Sequence, residues 1–167
     1  MSGPSVAIEF GAKAPRPPWL DVDSPAPASA GTWCELTARP VMGTLIRLRA
    51  RDLGEARRRY EGIRRSDPRA VVLLDLYAYT ADTWERAHAE YERINPYWQP
   101  GRVLDTVTYV GTHKGLTSLI SDISAAGVAD GATVQGPDSW LRYVQHDVLA
   151  PWLAGAAKAD TALAVSR

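Results

Sequence analysis

The stretch Ala70–Tyr79 constrains this chain more than any other. It is continuous, apolar and rich in β-formers, the pattern of a strand buried on both faces, as in a parallel sheet. Such a strand needs helices packed against it, and its flanks supply them. Upstream, Asp52-x-x-Glu55 is a capping-box-like start, and Leu53, Ala56, Tyr60 and Ile63 recur at helical spacing until Asp67-Pro68 breaks the run. Downstream, Asp82-x-x-Glu85 opens a second helix with Trp84, Ala87, His88 and Tyr91 on one stripe.

The same alternation extends both ways. Thr44–Ala50 alternates apolar and polar residues as a strand does. Asn95–Arg102 reads as a loop broken by Pro96, Pro100 and Gly101, and Val103–Val110 as an extended segment. Leu116, Leu119, Ile120 and Ile123 mark an amphipathic helix closed by Gly127. Ala132–Gln135 reads as a short strand, and Asp138 caps a final helix carrying Trp140, Leu141, Val144 and Val148. Near the start, Trp19–Asp23 reads as a short strand, and Ser24-Pro25 as the N-cap and first position of a helix running to about Ala38. Residues 1–18 read as an irregular arm with a short strand at Val6–Phe10, residues 19–153 as one α/β domain, and residues 154–167 as a disordered tail. Parallel βα units follow from this order, but their strands are too few to close a barrel of about eight strands and about 250 residues. An open α/β sandwich and half of something larger both fit.

Composition narrows the partners. Nineteen basic residues balance nineteen acidic ones, so no global field draws the chain to nucleic acid or an anionic membrane. The Arg57, Arg58, Arg59, Arg64, Arg65 cluster, interrupted by Glu55 and Glu61, reads as a solvated helix face. Nothing in residues 1–18 resembles a signal core, and no apolar run is long enough to span a bilayer. The single cysteine, Cys34, excludes an internal disulfide and a multi-cysteine metal site, and agrees with a cytoplasmic location. Within the expected helix it reads as a buried, inert thiol. His88, His113 and His146 have no carboxylate or second histidine at ligand spacing, and no Walker or Rossmann glycine loop is present.

Several stretches resemble the C-terminal half of the bacterial-luciferase-like flavin-dependent monooxygenases and oxidoreductases. Pro15–Pro18, Trp19–Asp23 and Ser24-Pro25-Ala26 are similar to the family's proline-rich approach to a strand and serine-containing turn. Thr44–Ala50 with Asp52–Ala56, and Val71–Ala78 with Thr80–Thr83, resemble its next strands and helix starts. Tyr109–Thr112, Ala125–Val128 and Val148–Pro151 resemble its ending. The resemblance implies α/β architecture with parallel βα units forming a half or partial (βα)8 TIM-type barrel whose first four units are absent. It also implies a flavin, FMN or a deazaflavin coenzyme, and an oxidoreductase or monooxygenase subunit completed by itself or by a chain supplying the other half. The alternative is a non-catalytic half-barrel binding or regulatory module without flavin. A half barrel exposes strand edges and an apolar inner face, and the six tryptophans suit an interface as well as a core.

The resemblance puts Ser24 where the family sets a hydroxyl and helix amides against the flavin phosphate. Asp21 and Asp23 would repel a phosphate there and Pro27 removes an amide donor, which favours a plain N-cap. On Ala70–Tyr79, period-two alternation puts Val71, Leu73, Asp75, Tyr77 and Tyr79 on one face and Val72, Leu74, Leu76 and Ala78 on the other. The second set should meet the helices. Asp75, Tyr77 and Tyr79 then line a cavity or form a structural polar cluster, since an aspartate among apolar neighbours must be hydrogen-bonded or exposed.

Overall fold

The computed structural model describes residues 3–21, 31–37 and 43–165. Its strands are β1 (Ser5–Phe10), β2 (Thr32–Glu35), β3 (Leu45–Leu48), β4 (Val71–Ala81), β5 (Val107–Thr112) and β6 (Gly131–Gln135). Its α-helices are α1 (Leu53–Ser66), α2 (Trp84–Ile94), α3 (His113–Ala125), α4 (Asp138–Val144) and α5 (Ala150–Val165). The fold is mixed α/β, built on one curled sheet whose strands are mostly parallel.

The strand order is β2-β1-β6-β4-β3, with β5 also paired to β4. Because β4 is long, it holds two neighbours end to end: β3 beside Val71–Leu74 and β5 beside Leu76–Ala81. A hydrogen bond from Val107 N–H to Ala50 O joins those two along one edge. On its other side β4 pairs with β6, and β6 pairs in parallel with β1, so the described chain's first strand lies against its last. Only β2, antiparallel to β1, runs the other way.

Val72, Leu74, Leu76 and Ala78 pack with Val6, Ile8, Ala132 and Val134 into one core, under Ala56 of α1, Leu116, Ile120 and Ile123 of α3, and Leu141 and Val144 of α4. Local chemistry fixes the helix ends. Asp52 caps α1 by accepting from Glu55 N–H at 2.7 Å. For α2 the cap is Thr83, one residue later than the Asp82 pattern suggests. Gly127, at φ 65°, follows α3 in the left-handed conformation that glycine tolerates best. Asp138 caps nothing; it opens α4 and accepts from Gly11 N–H at 2.8 Å, tying the helix to the end of β1.

Several expectations are overturned near the termini. The short strand expected at Val6–Phe10 is present as β1, but it is an interior strand, with Val6, Ala7 and Ile8 almost wholly buried, and not part of a loose arm. Pro18–Asp21 forms a 3-10 turn and not a strand, consistent with prolines that cannot donate to a ladder. The described end of the expected Pro25–Ala38 helix is instead β2, because pairing with β1 satisfies its backbone in extended form. Cys34 is therefore an exposed residue on an edge strand, not a buried thiol. The described chain ends in α5, Ala150–Val165, whose alanine content favours a helix. No helix among the described residues is long and apolar enough to cross a membrane.

Candidate functional site

The sheet face turned away from α1, α3 and α4 carries charge. β1 contributes Glu9, β3 Arg47 and β4 Asp75, each between residues that pack in or against the core, and β6 contributes Gln135, next to the core residue Val134. Register brings them together: Glu9 lies directly beside Gln135, and Asp75 beside Thr133. Arg47 reaches over β4 and β6 to join both carboxylates. Its Nη1 and Nη2 donate to Glu9 Oε1 and Oε2 at 3.1 and 2.6 Å, a bidentate pair. Its Nε and Nη2 also donate to Asp75 Oδ1 at 3.1 and 2.9 Å. Gln135 Nε2 completes the group with a 2.5 Å bond to Glu9 Oε2.

Glu9 is 1% exposed, so the network sits in low dielectric and its partners are obligatory. Burial raises the Asp75 carboxyl above its ordinary value, against the opposing pull of Arg47. Burial also works against the Arg47 charge, but its bonds to Glu9 and Asp75 prevail and hold the guanidinium still more firmly protonated. Chemically, this group locks four strands in register. Beside it, Trp33 of β2 donates from Nε1 to Thr133 Oγ1 at 3.3 Å.

Further along the same face, Tyr77 and Tyr79 lie under a lid. α2 and the segment after it, residues 95–106, place Tyr91, Trp98 and Leu104 over them as a second buried cluster. Tyr79 stacks on Tyr91 with centroids 5.5 Å apart, and Trp98 meets Tyr91 edge-on at 5.5 Å. Asn95 Nδ2 fastens the lid to Tyr91 Oη at 3.0 Å and to Pro15 O at 3.3 Å. Asp105 holds it by its N–H to Arg16 O and its carboxylate to Arg49. Tyr77 is only 3% exposed, and burial pushes its phenol up to about 12. Tyr79 keeps one polar contact, donating to Glu90 Oε2 at 2.9 Å.

The sequence-derived residues thus separate. Asp75 joins the ionic network, Tyr77 and Tyr79 join the aromatic lid, and Ser24 lies outside the described residues. Glu9, Arg47 and Gln135 were missed, although a charged or amide side chain between core residues of a strand is a readable signal. Among the described residues no cluster of His, Cys, Asp and Glu could hold a metal. His88 lies against Val110 O at 3.0 Å. His113 Nδ1 meets Thr80 Oγ1 at 2.7 Å, and Trp140 Nε1 donates to that same hydroxyl at 3.2 Å. A separate cleft of about 500 Å³ runs along β5, bordered by Leu53, Trp84, His88, Trp98, Arg102 and Val103 among others.

No family model and no curated protein matches this chain.

Proposed function

We propose that this chain is a partial barrel of the luciferase-like type that serves as a non-catalytic association module and does not bind flavin by itself. The lid over Tyr77 and Tyr79 carries this reading. Strands of such barrels place their cofactor and substrate sites at the C-terminal mouth, which for β4 is the end bearing these tyrosines. That volume is filled here by Tyr91, Trp98 and Leu104, so an isoalloxazine ring would have to displace a packed aromatic cluster.

The strand order supports the barrel part of the proposal. In a closed parallel barrel the first strand neighbours the last, and the earlier strands follow backwards from there. The order β1-β6-β4-β3 follows that form except at β5, which lies on the far side of β4 instead of between β6 and β4. On this reading the strands that complete the barrel lie outside the described residues. Titration of the purified chain with FMN and with a deazaflavin coenzyme, followed by quenching of tryptophan and flavin fluorescence, tests the proposal. The expected result is a colourless protein and no saturable quenching. Stoichiometric flavin binding by the isolated chain would restore the oxidoreductase reading.

A further inference from the structure

The aromatic rings of the lid form one file that runs from the core to the surface. On α4, Trp140 stacks on Tyr79 with centroids 5.9 Å apart, and Tyr79 stacks on Tyr91 at 5.5 Å. Tyr91 meets Trp98 at 5.5 Å, Trp98 meets His88 at 4.7 Å, and His88 lies 3.8 Å from Trp84. Trp140, Tyr91 and Trp98 are buried, whereas Trp84 is 54% exposed. Packing explains why the buried rings touch. The exposed indole at the end of the file opens it to reagents in solvent. Indole and phenol lose single electrons more readily than aliphatic side chains do, and π systems this close exchange such a vacancy in short hops.

Where the vacancy stops is decided by protons. An oxidised phenol is a strong acid, so a tyrosine gives up its electron most easily where a base within hydrogen-bond reach takes its proton in the same step. Of the three tyrosines in the cluster, Tyr79 has such a base: its hydroxyl donates to Glu90 Oε2 at 2.9 Å, and Arg86 Nε holds the other carboxylate oxygen at 2.8 Å. Tyr91 Oη instead meets the Asn95 amide, which donates and takes no proton. Tyr77 has no carboxylate at its hydroxyl among the described residues. Elsewhere the two ingredients are separate. Tyr60 donates to Asp130 at 2.8 Å but has no ring packed against it among the described residues, and the exposed Trp19 lies under Arg102 with no described aromatic neighbour.

From this we infer that the file is a route for oxidising equivalents: when a one-electron oxidant in solution, such as an inorganic radical, takes an electron from Trp84, Tyr79 replaces it through Tyr91 and Trp98. The oxidant gains one electron. The O–H bond of Tyr79 breaks, its proton passes to Glu90 Oε2, and a neutral phenoxyl radical remains on Tyr79. Trp84 returns to its closed-shell state, taking back from water any proton it released. A one-electron reductant such as a thiol then restores Tyr79, and Glu90 returns the proton. Pulse radiolysis of the full chain with the azide radical, which oxidises exposed indoles, tests the route. Indolyl absorbance should decay as phenoxyl absorbance rises, at a rate independent of protein concentration. Tyr79→Phe keeps the ring but has no proton to give, and should lose this phase, as should Trp84→Phe. Glu90→Gln changes one half-buried side chain and should slow it, while Tyr60→Phe should leave it unaltered. Circular dichroism shows whether each variant keeps its fold. Absence of a concentration-independent phase in the unaltered protein overturns the inference, as does a phase that survives Tyr79→Phe or Trp84→Phe or that Glu90→Gln does not slow. The route is independent of the flavin titration, so either reading can fail while the other stands.

Discussion

Replacing Arg47 by methionine keeps the length of the side chain and removes the guanidinium that joins Glu9 to Asp75. Glu9, 1% exposed, and Asp75, with a side chain 11% exposed, would then both lose the guanidinium that joins them. Deleting one partner of a buried ion pair costs about 3–5 kcal/mol. Arg47 itself is 32% exposed, so water enters once it is gone, and the lower end, about 3 kcal/mol, is the expected loss. With a urea dependence of about 2 kcal/mol/M, the unfolding midpoint near pH 7 falls by about 1.5 M. Acid should repair the variant. Carboxyls whose pKa is higher folded than unfolded carry no penalty below the unfolded value, and the penalty grows as pH rises above it. The deficit should thus be largest near pH 7 and shrink toward about pH 4. Urea melts followed by tryptophan fluorescence at both pH values decide the matter. A midpoint loss under about 0.5 M near neutrality, or a deficit that acid leaves unchanged, would refute the view that Arg47 neutralises two buried carboxylates.

Asp75→Asn should cost no more than about 1 kcal/mol near neutral pH, because burial already raises that carboxyl and makes its ionisation unfavourable in the folded state. The same variant should flatten the stability profile between about pH 4 and 7, measured by thermal melts across that range. Gly131→Ala sets a Cβ 1.7 Å from Ser5 O, a backbone atom with nowhere to go, and should cost about 3 kcal/mol. Hydrogen exchange should then show protection lost first in Val6–Phe10. Cys34 is exposed on β2 and should react fully with a thiol-reactive disulfide reagent without denaturant; a thiol that titrates only after unfolding would contradict that placement.

Local signals carried the reading from Thr44 onward. Asp52, Gly127 and the two faces of β4 are features that neighbours a few residues away determine, and they stand where period and capping chemistry put them. What escaped is decided by distant pairing. Nothing near Thr32–Glu35 marks a strand; it is extended because β1 offers it a ladder. Likewise Glu9 and Arg47 read as ordinary polar positions until register sets them side by side with Asp75. Opposite charges at inward positions of separate strands were the available clue to that network. Tyr77 and Tyr79 were singled out from alternation alone, but the lid that covers them depends on how residues 95–106 fold back, which periodicity does not address.

The pairing of β1 with β6 also sets a timetable. Glu9 and its partner Gln135 are 126 residues apart, and a ribosome adding 5–20 residues per second takes about 6–25 s to cover that distance. Throughout that interval the first strand has been made but its place in the sheet has not. β1 can pair early with β2, but its edge toward β6 stays open, where a chaperone or a neighbouring nascent chain can reach it, until Gly131–Gln135 emerges beside β4. Among the described strands, the one made first completes its pairing only after the one made last.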